Sequence, residues 1–468
     1  MLFKRFESKG LAHYSYLIGD QNRAVVIDPR RDCDAYVEAA VAEGLPITHI
    51  LETHRNEDYV TGSVELASRT GARILRSGHS PLQYGYGERI HDGDAIQVGR
   101  LTLKALHTPG HTLGHMSYLL SERVPGSRPV LPRGSTESGG VPWIVFTGDA
   151  LFAGEVGRTD FMGQDGLAEM TGLLYDSLFN KLLPLGDGVI VCPAHGAGSV
   201  CGSGIADRPW TTIGMERKYN PRLQHTDKAG FIQNVARMLP KAPYFSKMEE
   251  LNLAGAPLLG ETPVPTPLSA MAFAEQAAGA WVVDVRSLLS FASAHVPGAI
   301  ALWEPELPAY AGWFLSYDKP ILLVGETNDL SQAVTYLTRI GFDRIAGFLA
   351  GSMLAWHRAG LESQRMDTVT VQELCHRLDT DQEMWILDVR SEEEVAQNPI
   401  PDAHPIYIKQ LPAHMDEVPQ DRPVYVFCGS GVRSMIGASL LRRAGWQNVT
   451  VVLGGLAGWN SASCPLPL

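Results

Sequence analysis

The sequence predicts an α/β protein of several domains. Three observations carry that expectation: a length beyond the reach of one core, strand-like apolar runs that each stop at polar, Gly or Pro residues, and an internal repeat in the second half. With 468 residues, the chain exceeds the roughly 250–300 residues at which a single core stops growing, so three units of roughly 100 to 250 residues are the natural division. A net charge of -12 and a pI near 5.7 leave no basic field to hold a phosphate backbone, which excludes nucleic acid as a partner. No apolar run approaches the roughly 20 residues that span a bilayer, and the opening MLFKRFESKGLAHYSYLIGD lacks the basic-then-apolar layout of a signal peptide. The expectation is a cytoplasmic protein with no membrane partner. The six cysteines, Cys33, Cys192, Cys201, Cys375, Cys428 and Cys464, are scattered without a CxxC pair, which argues against both a disulfide framework and a zinc ribbon.

The elements follow in chain order. Over residues 1–240, AVVIDP (24–29), THILET (48–53), LTLKALHTPG (101–110), WIVFTGD (143–149) and GVIVCPAHG (188–196) read as strands with loops at their ends, where α/β layers carry their chemistry. The Gly/Pro/Ser-rich stretch 121–140 reads as a surface insertion, and 241–265, where prolines and small residues accumulate, as a linker. After it, WVVDVRS (281–287) recurs as WILDVRS (385–391), and 319–356 aligns with 422–459, which places two small α/β domains at 266–362 and 366–468.

The densest chemical signal is a set of histidines and carboxylates at strand ends: THRNEDYVTG (53–62), TPGHTLGH (108–115), TGDALF (147–152) and PAHG (193–196). In these motifs the chain resembles the metallo-β-lactamase superfamily, with its HxHxDH motif followed by a His, an Asp and a His, and the resemblance implies an αββα fold. The sequence departs from that pattern twice. Asn56 replaces the second histidine and Tyr59 the last, so each of two metal positions loses an imidazole. The set left around one centre is His54, His111 and Asp149. Two imidazoles and one carboxylate on one face suit non-heme Fe(II), one per chain, and oxygen chemistry, whereas a zinc hydrolase more naturally keeps three histidines or a bridged pair. Asp58, Tyr59 and His195, left from the second position, are expected to orient ligands or bound water. The first domain resembles the persulfide dioxygenase branch of that superfamily, which implies that Arg158, in GEVGRTDF (154–161), either binds an anionic part of a thiol carrier or anchors its loop through Asp160. Cys201, in the glycine-rich PAHGAGSVCGSG (193–204), is a candidate to carry sulfur or face the substrate channel, with a small residue in a tight loop as the alternative.

VYVFCGSGVRSMIGASLLRRAGW (424–446) reads as a strand, a loop and a helix. The loop Cys428, Gly429, Ser430, Gly431, Val432, Arg433 is expected to fold backbone amides around the cysteine at a helix N-terminus. Both the amides and the helix dipole favour a thiolate nucleophile there. Arg433 is expected to offer a fixed positive charge to an anionic donor or acceptor. The arrangement resembles the active loop of rhodaneses. In the earlier repeat Gly325 stands in the place of Cys428 and Leu330 in that of Arg433, so this first rhodanese-like module is expected to be catalytically silent.

The whole order of domains resembles bacterial persulfide dioxygenase–rhodanese fusions of sulfide detoxification. That resemblance implies oxidation of a glutathione, coenzyme A or bacillithiol persulfide by O2 to sulfite and thiol, with Cys428 then passing sulfur to sulfite as thiosulfate. By superfamily analogy it also implies a dimer or tetramer. Two rival readings are a glyoxalase II-like metal-dependent thioester hydrolase and a non-catalytic sulfur-binding scaffold.

Overall fold

The computed structural model describes residues 1–122, 140–200, 202, 204–380 and 384–462. It divides into two compact units, Met1–Glu261 with Thr338–Gly341, and Thr262–Leu337 with Phe342–Leu468. All but the ends of the expected insertion at 121–140 lie outside the described residues.

In the first unit, strands β1 (Leu2–Ser8), β2 (His13–Asp20), β3 (Arg23–Ile27), β4 (Ile47–Leu51), β5 (Arg73–Ser77) and β6 (Glu88–Ile90) form one sheet in chain order. Strands β7 (Ala95–Val98), β8 (Leu101–His107), β9 (Met116–Glu122), β10 (Val141–Gly148), β11 (Ile190–Pro193) and β12 (Thr211–Thr212) form the second, in the order β12-β11-β10-β9-β8-β7. Along β8 the period-two pattern aims Leu101, Leu103 and Ala105 inward. There they meet Ile18, Val25 and Ile27 of the first sheet in one buried cluster, each large aliphatic contributing about 1.5–3 kcal/mol by leaving water. The helices Asp34–Ala42 and Ser63–Thr70 cover the outer face of the first sheet, and Gly163–Ser177 and Lys228–Val235 that of the second. This is the αββα order.

The segment expected as a linker, 241–265, departs from that expectation. Phe245–Ala254 forms a helix that buries Phe245 and Met248. Its Asn252 accepts from Thr61 N–H at 2.9 Å and donates to the carbonyls of Asn56 (2.7 Å) and Tyr59 (2.8 Å). The prolines and small residues that suggest a linker flank the helix rather than fill it.

The second unit holds two parallel five-stranded sheets. The first contains β13 (Pro267–Leu268), β14 (Trp281–Asp284), β15 (Ile300–Ala301), β16 (Ile321–Val324) and β17 (Ile345–Leu349). The second contains β18 (Asp367–Thr370), β19 (Trp385–Asp388), β20 (Ala403–Pro405), β21 (Val424–Phe427) and β22 (Val449–Leu453). Their orders, β13-β17-β16-β14-β15 and β18-β22-β21-β19-β20, are the same topology twice. Each copy closes its repeated DVR strand with an internal ion pair, Arg286 on Asp284 and Arg390 on Asp388, both at 2.6 Å. The two modules touch. Ala301 N–H donates to the buried Ser439 Oγ at 3.1 Å, and the Arg443 guanidinium lies 4.6 Å from the Trp281 ring centroid. Cys33, Cys192 and Cys428 are free thiols, but Cys375, against the expectation of no disulfide framework, is disulfide-bonded.

Replacing Asn252 by Ala leaves three backbone groups of the 56–61 loop unpaired, and should lower stability by about 2–3 kcal/mol. Denaturant unfolding of the full chain checks the loss, and metal content after loading checks whether the loop slips with it.

Candidate metal centre and cysteine loop

His54 follows β4, His111 lies in the loop between β8 and β9, and Asp149 follows β10. The structure brings the three together. One ligand atom from each lies within 4.8 Å of the other two, and all three residues are buried. Asp149 Oδ2 is 3.7 Å from His54 Nε2 and 3.5 Å from His111 Nε2, separations that one ion with bonds of about 2.0–2.2 Å bridges.

The hydrogen bonds behind these atoms fix which lone pairs are free. Asp28, in the left-handed region at φ 50°, accepts from Thr53 N–H at 2.8 Å and from the Thr53 hydroxyl at 2.7 Å. With its proton directed to Asp28, Thr53 Oγ1 accepts from His54 Nδ1 at 2.9 Å. His111 Nδ1 donates to the Arg158 carbonyl at 2.9 Å. Both imidazoles therefore present an unprotonated Nε2 to the same point. Asp149 Oδ1 is held by His195 Nδ1 at 2.7 Å, and His195 Nε2 by Asp58 at 2.9 Å. Left over on these three side chains are His54 Nε2, His111 Nε2 and Asp149 Oδ2, which, like Glu57 Oε2 at 3.8 Å from His111 Nε2, are buried without a hydrogen-bond partner among the described residues. A cation answers all three.

The electrostatics agree. Burial holds His54 well below the usual imidazole value, the neutral form a ligand needs. Burial opposes charge on Asp149 as well, but His195 and His54 hold it well below the carboxylate range. His195 is raised well above its ordinary value by Asp149 and Asp58, against the pull of burial. Burial likewise works against a charge on His111, yet Glu57 and Asp149 raise it, so these carboxylates call for positive charge at Nε2.

His195 thus touches the cluster through Asp149, and Asp58 through His195. Tyr59 is fully buried, with its ring 4.0 Å from that of His13 and within electrostatic reach of Asp58. Arg158 takes the anchoring alternative. Its guanidinium grips Asp160 at 2.7 and 2.8 Å and donates to the carbonyls of Val200, Leu239 and Pro240, so no donor is left for a carrier. Cys201 lies outside the described residues.

Sequence reading missed His115. Its Nδ1 pairs with Thr108 at 2.9 Å and its Nε2 accepts the Asp149 amide at 3.0 Å, while burial lowers it to about 3. Its place four residues after His111 was the available signal. Gly148 lets this happen, since a Cβ there meets His115 Nε2 at 2.5 Å and Thr53 Cβ at 2.8 Å. Also missed were Arg55 and Glu57. A cavity of about 290 Å³ opens beside His111, walled by Arg55, Tyr84, Leu113, Phe161, Met162, Met170 and Glu249. Arg55 reaches Glu57 at 3.2 Å and Glu249 at 2.8 Å.

In the last module, Cys428 directly follows β21 and is fully buried. Its Sγ accepts from Gly431 N–H at 3.1 Å, where Gly431, at φ 107°, caps the helix Val432–Ala444. Gly429 is half-buried and Ser430 exposed. Arg433 departs from expectation, because both of its terminal nitrogens lie 2.6 Å from the Glu394 carboxylate. Its charge is met within the module, and Glu394 is held down to about 2, chiefly by that hydrogen bond. In the first module Leu330 occupies the nucleophile's place: a Cβ on Gly325 comes within 2.4 Å of Leu330 Cδ2.

Comparison with known proteins agrees with this fold. The Metallo-beta-lactamase superfamily model matches residues 9–123, and the Rhodanese-like domain model residues 266–359 and 370–462. The chain is 33% identical over 231 residues to the mitochondrial persulfide dioxygenase ETHE1 of Bos taurus, covering 48% of this chain and 76% of that one. To hydroxyacylglutathione hydrolase GloC of Haemophilus influenzae it is 26% identical over 229 residues, 45% of this chain and 91% of that one. A crystal structure of a metallo-beta-lactamase from Staphylococcus aureus subsp. aureus COL is 31% identical, with a TM-score of 0.65, over 75% of this chain and 99% of that one.

Replacing His54 or His111 by Ala should abolish tight metal loading, while His195→Gln should weaken it by about 10–100-fold, as read by chelator competition. For the Glu394–Arg433 pair, a folded value below the unfolded one means stabilisation that is present above the ordinary glutamate value and lost as pH falls towards about 2. The melting-temperature advantage of the wild type over Glu394→Gln should therefore shrink between about pH 5 and pH 3.

Proposed function

Since the chain belongs to the ETHE1-related persulfide dioxygenases of the metallo-β-lactamase superfamily and carries two rhodanese-like domains besides, we propose that it is a mononuclear iron persulfide dioxygenase coupled to a sulfurtransferase loop at Cys428. The observation that carries the reading is the trio of unpartnered ligand atoms of His54, His111 and Asp149, with Asn56 and Tyr59 where two further imidazoles would make a hydroxide-generating site. Fe(II), held by these three residues, supplies the redox chemistry between dioxygen and a sulfur anion.

The chain's own groups do the rest. The cavity beside His111 receives the persulfide end of a low-molecular-weight thiol carrier of the glutathione, coenzyme A or bacillithiol kind. Leu113, Phe161, Met162 and Met170 give it an apolar wall that limits water around the sulfur. Arg55, bridged between Glu57 and Glu249, fixes the polar rim. His195, clamped between Asp58 and Asp149, keeps the ligand carboxylate charged and oriented. Overall, one persulfide, one O2 and one water yield the parent thiol, sulfite and two protons. Cys428, once persulfidated, passes its outer sulfur to sulfite as thiosulfate. Among the described residues no helix is long and apolar enough to cross a membrane. The cytoplasm, and a dimer or tetramer there, belong to this reading.

Thioester hydrolysis is the second reading, kept by the likeness to the Haemophilus influenzae hydrolase. Anaerobically purified, Fe(II)-loaded chain should consume O2 with glutathione or coenzyme A persulfide, and Cys428→Ser should keep that uptake while sulfite accumulates and thiosulfate disappears. An iron-loaded chain that takes up no O2 with any persulfide, yet cleaves S-lactoylglutathione, would hand the site to hydrolysis.

A further inference from the structure

In the second unit, the Cys428 loop lacks the cation expected of it, because Arg433 is bound to Glu394 by two 2.6 Å contacts. Another cation stands beside it. Lys409, half-buried on the segment after β20, has no carboxylate partner within 4.0 Å among the described residues. Its ammonium instead lies 4.7 Å from the ring centroid of Trp313 and 6.0 Å from that of Tyr310. Both rings come from the helix Leu307–Phe314 of the silent module. Tyr310 lies within electrostatic reach of Cys428 and Arg433, and Lys409 within reach of Arg433. Trp313 Nε1 is buried without a hydrogen-bond partner among the described residues. Two donors, one charged and one neutral, therefore stand without a partner among the described residues, on rings and a segment that lie within electrostatic reach of Arg433, the arginine of the cysteine loop that is already taken.

We propose that Lys409, seated on Tyr310 and Trp313 of the first rhodanese-like module, is the anion-recognition group of the Cys428 site, binding the oxygens of thiosulfate or sulfite together with Trp313 Nε1. The silent module is then a structural half of the active site. The inference rests on the sulfurtransferase reading of Cys428. The transfer it serves needs no outside oxidant or reductant. The lone pair on the sulfite sulfur attacks the outer sulfur of the Cys428 persulfide anion, and a new S–S bond forms. The old one breaks, and its electron pair returns to Cys428 as thiolate. The sulfite dianion leaves as the thiosulfate dianion and the persulfide anion becomes a thiolate anion, with no proton moved. Burial, and then the Arg433 charge, lowers the Lys409 ammonium to about 8. It stays charged at neutral pH but is poorly solvated, a state that contact with an anion relieves. Aromatic faces suit such an ammonium without neutralising it.

The test is sulfur transfer to cyanide by the full chain, read as thiocyanate, with thiosulfate as the anionic donor and dimethyl trisulfide as a neutral one. Lys409→Gln should raise the KM for thiosulfate by about tenfold or more, the scale of one charge-assisted contact, with kcat and the dimethyl trisulfide KM little changed. Lys409→Arg should recover most of the loss, and Trp313→Phe should shift the thiosulfate KM in the same direction by less. An unchanged thiosulfate KM in Lys409→Gln, or equal loss with both donors, overturns the assignment. A wild-type chain that transfers sulfur from neither donor overturns the sulfurtransferase reading, and this inference with it.

Discussion

The first domain depends on keeping three lone pairs unoccupied at one buried point. A buried polar atom without a partner costs about 1–3 kcal/mol, and here three are gathered with no hydrogen-bond partner among the described residues. They stay in place because the other polar atom of each side chain is tied down, His54 by Thr53, His111 by the Arg158 carbonyl and Asp149 by His195. The ties come from different strands and loops of the two sheets. The sandwich core is therefore what holds the ligand geometry, and distortion of any layer is felt at the ligand atoms.

The two rhodanese-like modules show how little separates a reactive loop from an inert one. They share sheet order and the Asp–Arg clasp on the repeated strand. In one, the residue after the central strand is a cysteine whose sulfur takes a backbone amide. In the other it is a glycine with a leucine folded over it. Leu330 packs into the space a nucleophile needs, while residues 326–329 between it and Gly325 stay exposed.

Much of this was legible in the sequence. The strand ends carrying His54, His111 and Asp149 stood out because chemistry-bearing residues there interrupt apolar runs, and the repeat announced two like modules through WVVDVRS and WILDVRS. What could not be read were relations fixed only by folding. Nothing in the text says that Asp28 sets the tautomer of His54 through Thr53, or that the contribution of Arg158 to the site is its carbonyl. Arg433 looked like a free cation because its partner Glu394 lies 39 residues earlier, in a run of acids that reads as a solvated helix face. The linker reading failed for a similar reason: the helix Phe245–Ala254 is short and only weakly amphipathic, and its packing comes from the domain it covers.

That helix also bears on how such a chain can be recombined. A crossover placed at residue 240, where the composition changes, would carry away Asn252 and with it the partner of three backbone groups beside the metal-bearing loop. The heritable cassette of the first domain extends to Glu261. A new C-terminal module can be spliced on in the proline-rich stretch that follows only if it restores what Thr338–Gly341 contributes, since those four residues belong to the same compact unit.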